Sequence, residues 1–425
     1  MVPDARAFAV TQLGPCRIAS PLREVPFVDD GERVLYDASL ETIRAAIRDG
    51  SVPPQFERAG PRERIHFDPR DVRCGIVTCG GLCPGLNDVI RAIVLALHYQ
   101  YGVEGTVGFR YGYEGLSSRH GHAPVDLTPA VVSAIHEHGG TILASSRGNQ
   151  DAGDMVDTLA RMRIGILFAI GGDGTLRGAH AIAEEARRRG LDLAVIGVPK
   201  TIDNDISMIQ SSFGFQTAVS EARRATQAAH AEAKGAPRGV GLVKLMGRES
   251  GFIAAYATLA DPQVNFCLVP EVPFTLDGFL DALRRRLDKR GHAVVVVAEG
   301  AGHDQPGAVV GRDASGNAKM RDVGAWLRDA IASHLGAGAS LKYIDPSYTI
   351  RGVRANAFDA ALCSVLGQNA VHAGMAGRTD MVVGHWRNEL THVPIPLATG
   401  ERKKIETGSW LWRAVLAATG QPARM

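Results

Sequence analysis

The chain has 425 residues, 45% of them hydrophobic and 22% charged. That length exceeds what one hydrophobic core usually serves, and the composition is that of an ordinary globular protein. Its 47 basic and 45 acidic side chains leave a formal charge of +2, which argues against a dedicated nucleic-acid binder. The most apolar short run, at 293–298, is far below the roughly 20 residues a membrane-spanning helix needs. The opening MVPDARAFAV carries acid early and has no sustained apolar stretch, so a secretory signal is not expected. A soluble, cytoplasmic protein without a membrane partner is the expectation. The six cysteines, Cys16, Cys74, Cys79, Cys83, Cys267 and Cys363, form no Cys-x-x-Cys pair and complete no zinc pattern. Reduced core thiols are the simplest account of them.

Residues 1–71 carry scattered prolines and one helical pattern, around 39–48. They read as an extension wrapped on the surface. From Val72 short apolar runs alternate with helical patterns: VRCGIVTC and a helix from about Leu86, IGILFAI and one from about Thr175, LAVIGV and one from about Phe213. The rhythm continues through GVGLVKL, FCLVPEV and AVVVVAE, and a further helix is expected over 355–375. Apolar runs without polar alternation fit strands covered on both faces, hence mainly parallel α/β sheets. Two Rossmann-like three-layer lobes follow: 72–213 completed by about 350–390, and 214–349 completed by about 391–425. Ligands in such folds bind beyond the carboxyl ends of strands. Nearly every unusual residue of this chain falls there.

At the first such end, Cys79-Gly80-Gly81-Leu82-Cys83-Pro84-Gly85 precedes a helix. Its glycines admit an anion close to backbone N–H groups, although a plain strand–helix turn accounts for it equally well. It has neither the dinucleotide spacing nor a Walker Gly-Lys-[Ser/Thr]. The second end, Gly171-Gly172-Asp173-Gly174-Thr175, sets an aspartate among glycines, where it can hold Mg²⁺ that bridges phosphate oxygens. The third, Pro199-Lys200-Thr201-Ile202-Asp203-Asn204-Asp205, places two carboxylates two residues apart. That is costly unless a cation or a proton transfer needs them, the alternative being a loop of solvated acids. A hydroxyl must lose its proton as it attacks phosphorus, and a positioned aspartate accepts it. Arg147 after TILASS, Arg248 after GLVKLMG, and Arg351 with Arg354 after YIDPSYTI are guanidinium groups suited to a substrate with phosphates at both ends.

Over roughly 72–390 the chain resembles the phosphofructokinase family. The segments run in the family's order: GGLCPGLN, GYEGL, SSRG, GGDGT, PKTIDNDI, FGFQTA, MGRESGF, PEV, AEGAG and SYTIRG. The N-terminal extension and KYIDPSY are similar to the longer, ATP-using branch. The resemblance implies transfer of a phosphoryl group from ATP to the C1 hydroxyl of fructose 6-phosphate, with Mg²⁺, in a cleft between the lobes of a homotetramer or homodimer. It implies that Asp203 is the general base, ordered by Thr201 and Asp205, and that Asp173 binds the metal. Gly81, Arg147, Gly172 and Lys200 would meet the donor phosphates, Arg147 also stabilising the group in flight. Gly174, Thr175 and Gly178 would accept the rest of the nucleotide. On the sugar side it implies Met246, Gly247 and Arg248, with Glu299 on the hydroxyls and Tyr348, Arg351 and Lys342 near the 6-phosphate. NAD and lipid kinases share the GGDGT turn but lack TIDND followed by MGR. A catalytically silent regulatory subunit tends to lose the acid or the arginines that are present here.

The donor has an alternative. Pyrophosphate-using relatives carry an aspartate where this chain has Gly174 and a lysine where it has Lys200. Gly174 favours ATP, because an aspartate there would fill and repel the space of the nucleotide α-phosphate.

Overall fold

The structure is a computed structural model that describes residues 4–148, 150–312 and 318–425. The first three residues of the 1–71 extension lie outside the described residues. Along the chain come β1 (Arg33–Leu35), α1 (Leu40–Asp49), β2 (Gln55–Arg58), β3 (Arg73–Thr78), α2 (Leu86–Leu95), β4 (Thr106–Phe109) and β5 (Val125–Asp126). They are followed by β6 (Ile164–Gly171), α3 (Asp173–Arg188), β7 (Ala194–Pro199), α4 (Phe215–Lys234), β8 (Gly239–Leu245), α5 (Phe252–Ala260), β9 (Phe266–Leu268) and β10 (His292–Ala298). The last are β11 (Leu341–Ile344), α6 (Ser347–Gly352), α7 (Ala357–Met375), β12 (Met381–Trp386), β13 (Glu389–Pro394) and α8 (Trp410–Thr419). The chain divides into two compact units.

Unit 1 comprises Met1–Thr201, Ile206–Gly214 and Gly352–Glu401. Its nine-stranded sheet has the order β1-β2-β13-β12-β7-β6-β3-β4-β5. The five strands from β12 to β4 are parallel, as their unalternating apolar sequences predict; every residue of β7 is buried. Antiparallel strands close both edges. α1 starts at Ser39, whose hydroxyl accepts from the Thr42 N–H, and ends at Gly50 with φ 60°, a left-handed cap suited to glycine.

The extension does more than wrap the surface. β1 and β2 join the large sheet through β13, and buried charges fasten them. Arg62 and Arg378, 4% and 7% exposed, both pair with Glu57 and with Asp30. Short, polar strands such as QFER carry too little apolar pattern to announce themselves. The exchange of the chain into the second unit also differs from the expected position near 391. β13 spans that position, so the crossing comes at Arg402.

Unit 2 comprises Ile202–Asp205, Phe215–Arg351 and Arg402–Met425. Its main sheet has four strands in the order β9-β10-β8-β11, all parallel. Val240, Leu242, Phe266, Phe279, Val295 and Leu327 fill its core. The edge strand β9 is completed by the C-terminal tail. The Cys267 N–H donates to Gln421 Oε1 at 2.7 Å, and Gln421 Nε2 donates to the Cys267 carbonyl at 3.2 Å, so the tail satisfies backbone groups that an open edge would expose. All six cysteines are free thiols. Among the described residues no helix is long and apolar enough to cross a membrane.

Candidate active site

In unit 1 three strand ends converge. The turn after β3 is tied to the segment 141–148: Gly80 N–H donates to the Ser146 carbonyl at 3.0 Å, and Ser145 Oγ donates to the Gly80 carbonyl at 2.6 Å. TILASS, expected as a strand, is irregular, with Ala144 at φ 55°. It still presents Arg147, whose Nη2 lies 3.2 Å from where a Cβ on Gly81 would stand. Lys200, 5% exposed, follows β7 and donates from Nζ to the Gly81 carbonyl at 2.6 Å. Its N–H bonds the Gly171 carbonyl at 3.0 Å, which joins the second and third turns. Ser212 Oγ donates to the Thr201 carbonyl at 2.7 Å and holds the third.

α3 begins directly at the second turn, with Gly172 as its cap and Asp173 as its first residue. The Asp173 carboxylate is partly exposed, and Arg177 Nε lies 3.1 Å from its Oδ2. Thr175 is buried, and its carbonyl accepts from the Tyr113 hydroxyl at 2.6 Å. A Cβ on Gly178 would stand 2.4 Å from the Tyr113 ring, which gives that glycine a packing reason beside any role toward a ligand. Gly174 differs: a Cβ there meets nothing within 4 Å. The space beside the helix N-terminus is open, and the N-terminal N–H groups and dipole favour an anion.

Unit 2 gathers the acids. Asn204 takes φ 54°, a left-handed turn that asparagine tolerates, between Asp203 and Asp205. Asp205 is buried, and its Oδ2 lies 3.0 Å from Arg402 Nη1. Burial first, then the Asp205 and Glu299 carboxylates, push Asp203 from the ordinary 3.8 up to about 7, against the pull of Arg351 and Arg402. Glu299 follows β10, its N–H bonded to the Leu245 carbonyl at 2.8 Å. Gly247, at φ 116°, follows β8, and the Gly300 N–H donates to its carbonyl at 3.0 Å. Arg248 faces a cavity of about 260 Å³ shared with Glu249, Glu271, His303 and Lys404. Met246 is buried, whereas Tyr348 on α6 is 88% exposed. Lys342 stands mid-strand on the edge strand β11 opposite Gly241, 3.9 Å from Glu232, not past a carboxyl end.

Residues 73–374 match the family described as phosphofructokinase. The chain belongs to the phosphofructokinase family. It is 49% identical to the ATP-dependent 6-phosphofructokinase of Amycolatopsis methanolica, over 97% of this chain and 95% of that protein. Identity is 44% to the enzyme of the same name from Borreliella burgdorferi, over 98% and 97%. Among solved structures, the fold is shared with the pyrophosphate-dependent phosphofructokinase of Marinobacter aquaeolei (TM-score 0.68, 20% identity, 83% of this chain and 92% of that one). It is shared also with phosphofructokinase of Pichia pastoris in its T-state (TM-score 0.65, 22% identity, 91% and 45%).

Two residues beside the family's acid motif escaped the sequence reading. Arg402 pairs with Asp205, and Lys403 donates its N–H to the Asp205 carbonyl at 2.9 Å. Burial pushes the Lys403 ammonium down to about 7, against the opposing pull of Asp205. No local signal in ERKKIE announces this; the pairing spans 197 residues of chain.

Proposed function

We propose that this chain transfers the terminal phosphoryl group of ATP to the C1 hydroxyl of fructose 6-phosphate, giving fructose 1,6-bisphosphate in glycolysis. The observation that carries the reading is Asp203: a carboxylate beside a second, paired carboxylate, with its proton affinity near neutrality. A general base works best with a pKa near the working pH. Asp203 takes the hydroxyl proton as the sugar oxygen attacks phosphorus, with Thr201 and Asp205 ordering it. Gly81, Arg147, Gly172 and Lys200 meet the donor phosphates, and the Arg147 guanidinium offsets charge on the group in flight. Gly174, Thr175 and Gly178 accept the rest of the nucleotide; the open space at Gly174 supports ATP over pyrophosphate.

On the acceptor side Met246, Gly247 and Arg248 hold the sugar, Glu299 its hydroxyls, and Tyr348, Arg351 and Lys342 its 6-phosphate. Lys342 lies on an edge strand with its side chain half exposed, which suits contact with a substrate in a neighbouring copy of a homotetramer or homodimer. Asp173 fits Mg²⁺ as a hard oxygen donor. Among the described residues the clusters able to surround an ion with three protein ligands lie elsewhere, at Glu114, His120 and His122 and at His180, Glu184 and Asp380. One carboxylate completed by substrate phosphates is the common Mg²⁺ arrangement. When bound, Mg²⁺ neutralises charge across the donor phosphates. The cytoplasm is the proposed compartment.

Initial rates with ATP and with pyrophosphate test the reading. The expected result is a higher kcat/KM with ATP. A preference for pyrophosphate would overturn the donor assignment, and a folded chain inert with both would overturn the activity.

A further inference from the structure

The loop that carries the proposed base is tied to residues returning from the far end of the chain. Arg402 Nη1 lies 3.0 Å from Asp205 Oδ2, and the Lys403 N–H donates to the Asp205 carbonyl at 2.9 Å. The tail beyond is anchored in turn. The Ile405 N–H donates to Glu271 Oε1 at 2.9 Å, and the same carboxylate accepts from the Gly251 N–H at the start of α5 at 3.0 Å. The Lys403 ammonium lies 5.3 Å from the centre of the Phe252 ring. Segment 402–405 is therefore tied to unit 2 at Asp205 and at Glu271.

The Asp205 carboxylate raises the proton affinity of Asp203, and a cation that pairs with Asp205 offsets that effect. Arg402 touches Asp205, and both Arg351 and Arg402 pull on Asp203. We propose that Arg402 is a positioning residue of the acceptor site: by pairing with Asp205 it holds that carboxylate in place and offsets its charge beside Asp203, so that Asp203 is the one that accepts the substrate's proton. This rests on the reading of Asp203 as the base.

The groups that act on Asp203 include Asp205, Glu299, Arg351 and Arg402, with Lys403 beyond Asp205. Loss of the Arg402 charge removes one of the pulls that oppose the two acids, so Asp203 binds its proton more tightly and the base is ionised only at higher pH. An arginine in direct contact shifts a carboxylate by about 1–3 pH units. The Arg402 side chain is 43% exposed, and water screens its charge, so the shift expected on Asp203 is at the lower end, about 1 unit.

The test is the pH profile of kcat with ATP, Mg²⁺ and fructose 6-phosphate for the wild type, Arg402→Gln, Arg402→Lys and Asp203→Asn. Arg402→Gln is expected to move the acid limb up by about 1 pH unit, which is about a tenfold loss of kcat below the limb. KM for fructose 6-phosphate should stay within about twofold, and Arg402→Lys should return the limb most of the way. Thermal melting accompanies each profile. An Arg402→Gln limb in its wild-type position overturns the proposal. So does a loss of activity that tracks melting and that Arg402→Lys fails to restore. If Arg402→Gln does not fold, Arg402→Met, of similar reach but without the charge, takes its place: a limb moved up by about 1 pH unit is expected, and an unshifted limb overturns the proposal. A wild type without an acid limb near neutrality, or an active Asp203→Asn, would instead sink the base assignment itself, whatever Arg402 does.

Discussion

Gly174→Asp separates the two donors sharply. The residue is the second of α3, and a Cβ there meets nothing within 4 Å, so the new side chain fits without displacing protein atoms. A carboxylate in the first turn is also favourable to the helix dipole, by about 0.3–1 kcal/mol, so the variant should melt at or slightly above the wild-type temperature. Its effect falls on the ligand. Two unit charges about 5 Å apart at an effective dielectric of about 20 repel by about 3 kcal/mol, which is about 10²-fold in kcat/KM with ATP. Pyrophosphate lacks the α-phosphate and nucleoside that would pass this point, so any activity with it should change by less than about fivefold. The assay is steady-state kinetics with both donors at saturating fructose 6-phosphate, alongside melting. Equal losses with both donors, or an ATP rate within a few-fold of wild type, would mean that the nucleotide does not pass Gly174.

Other outcomes follow from the same geometry. Asp203 must be ionised to accept a proton and is held near 7. kcat/KM should therefore fall as pH drops through about 7 and level off above it, and a limb near the ordinary 3.8 would contradict this. Glu57→Gln removes the carboxylate between Arg62 and Arg378 and should destabilise unit 1 by about 3–5 kcal/mol in urea unfolding; a change under about 1 kcal/mol would show that Asp30 alone suffices. Burial alone would raise Glu57, yet His392 and Arg378 hold it well below the ordinary 4.5. Its stabilisation is thus complete above about pH 4.5 and lost as pH falls, a dependence the glutamine variant should lack. Gly178→Ala forces a methyl against the Tyr113 ring and should cost about 1–3 kcal/mol; an unchanged melting temperature would mean that the ring moves aside.

What could be read in advance follows from which interactions are local. The parallel strands were legible because β6, β7 and β10 are continuous apolar runs, and the three turns because glycines and acids mark strand ends. The expected helix starts near Leu86, Thr175 and Phe213 lie within two residues of those observed, at Leu86, Asp173 and Phe215. Harder to read were features made by distant partners. β1 and β2 become strands only because β13 offers an edge, and TILASS, apolar enough for a strand, is held irregular by its bonds to Gly80. Arg402 gained its place from Asp205, far back in the chain. Gly178 shows the reverse case: its residue type was legible, and Tyr113 gives it a packing reason that the sequence did not reveal.

The most direct trial of the account is Asp203→Asn, assayed with ATP, Mg²⁺ and fructose 6-phosphate. The amide keeps the shape of the carboxylate but cannot take the proton. Melting temperature and KM for the sugar should stay close to wild type, while kcat falls by roughly 10²-fold or more. A variant with near-normal kcat would mean that another group relieves the hydroxyl of its proton, and the account built on Asp203 would fail.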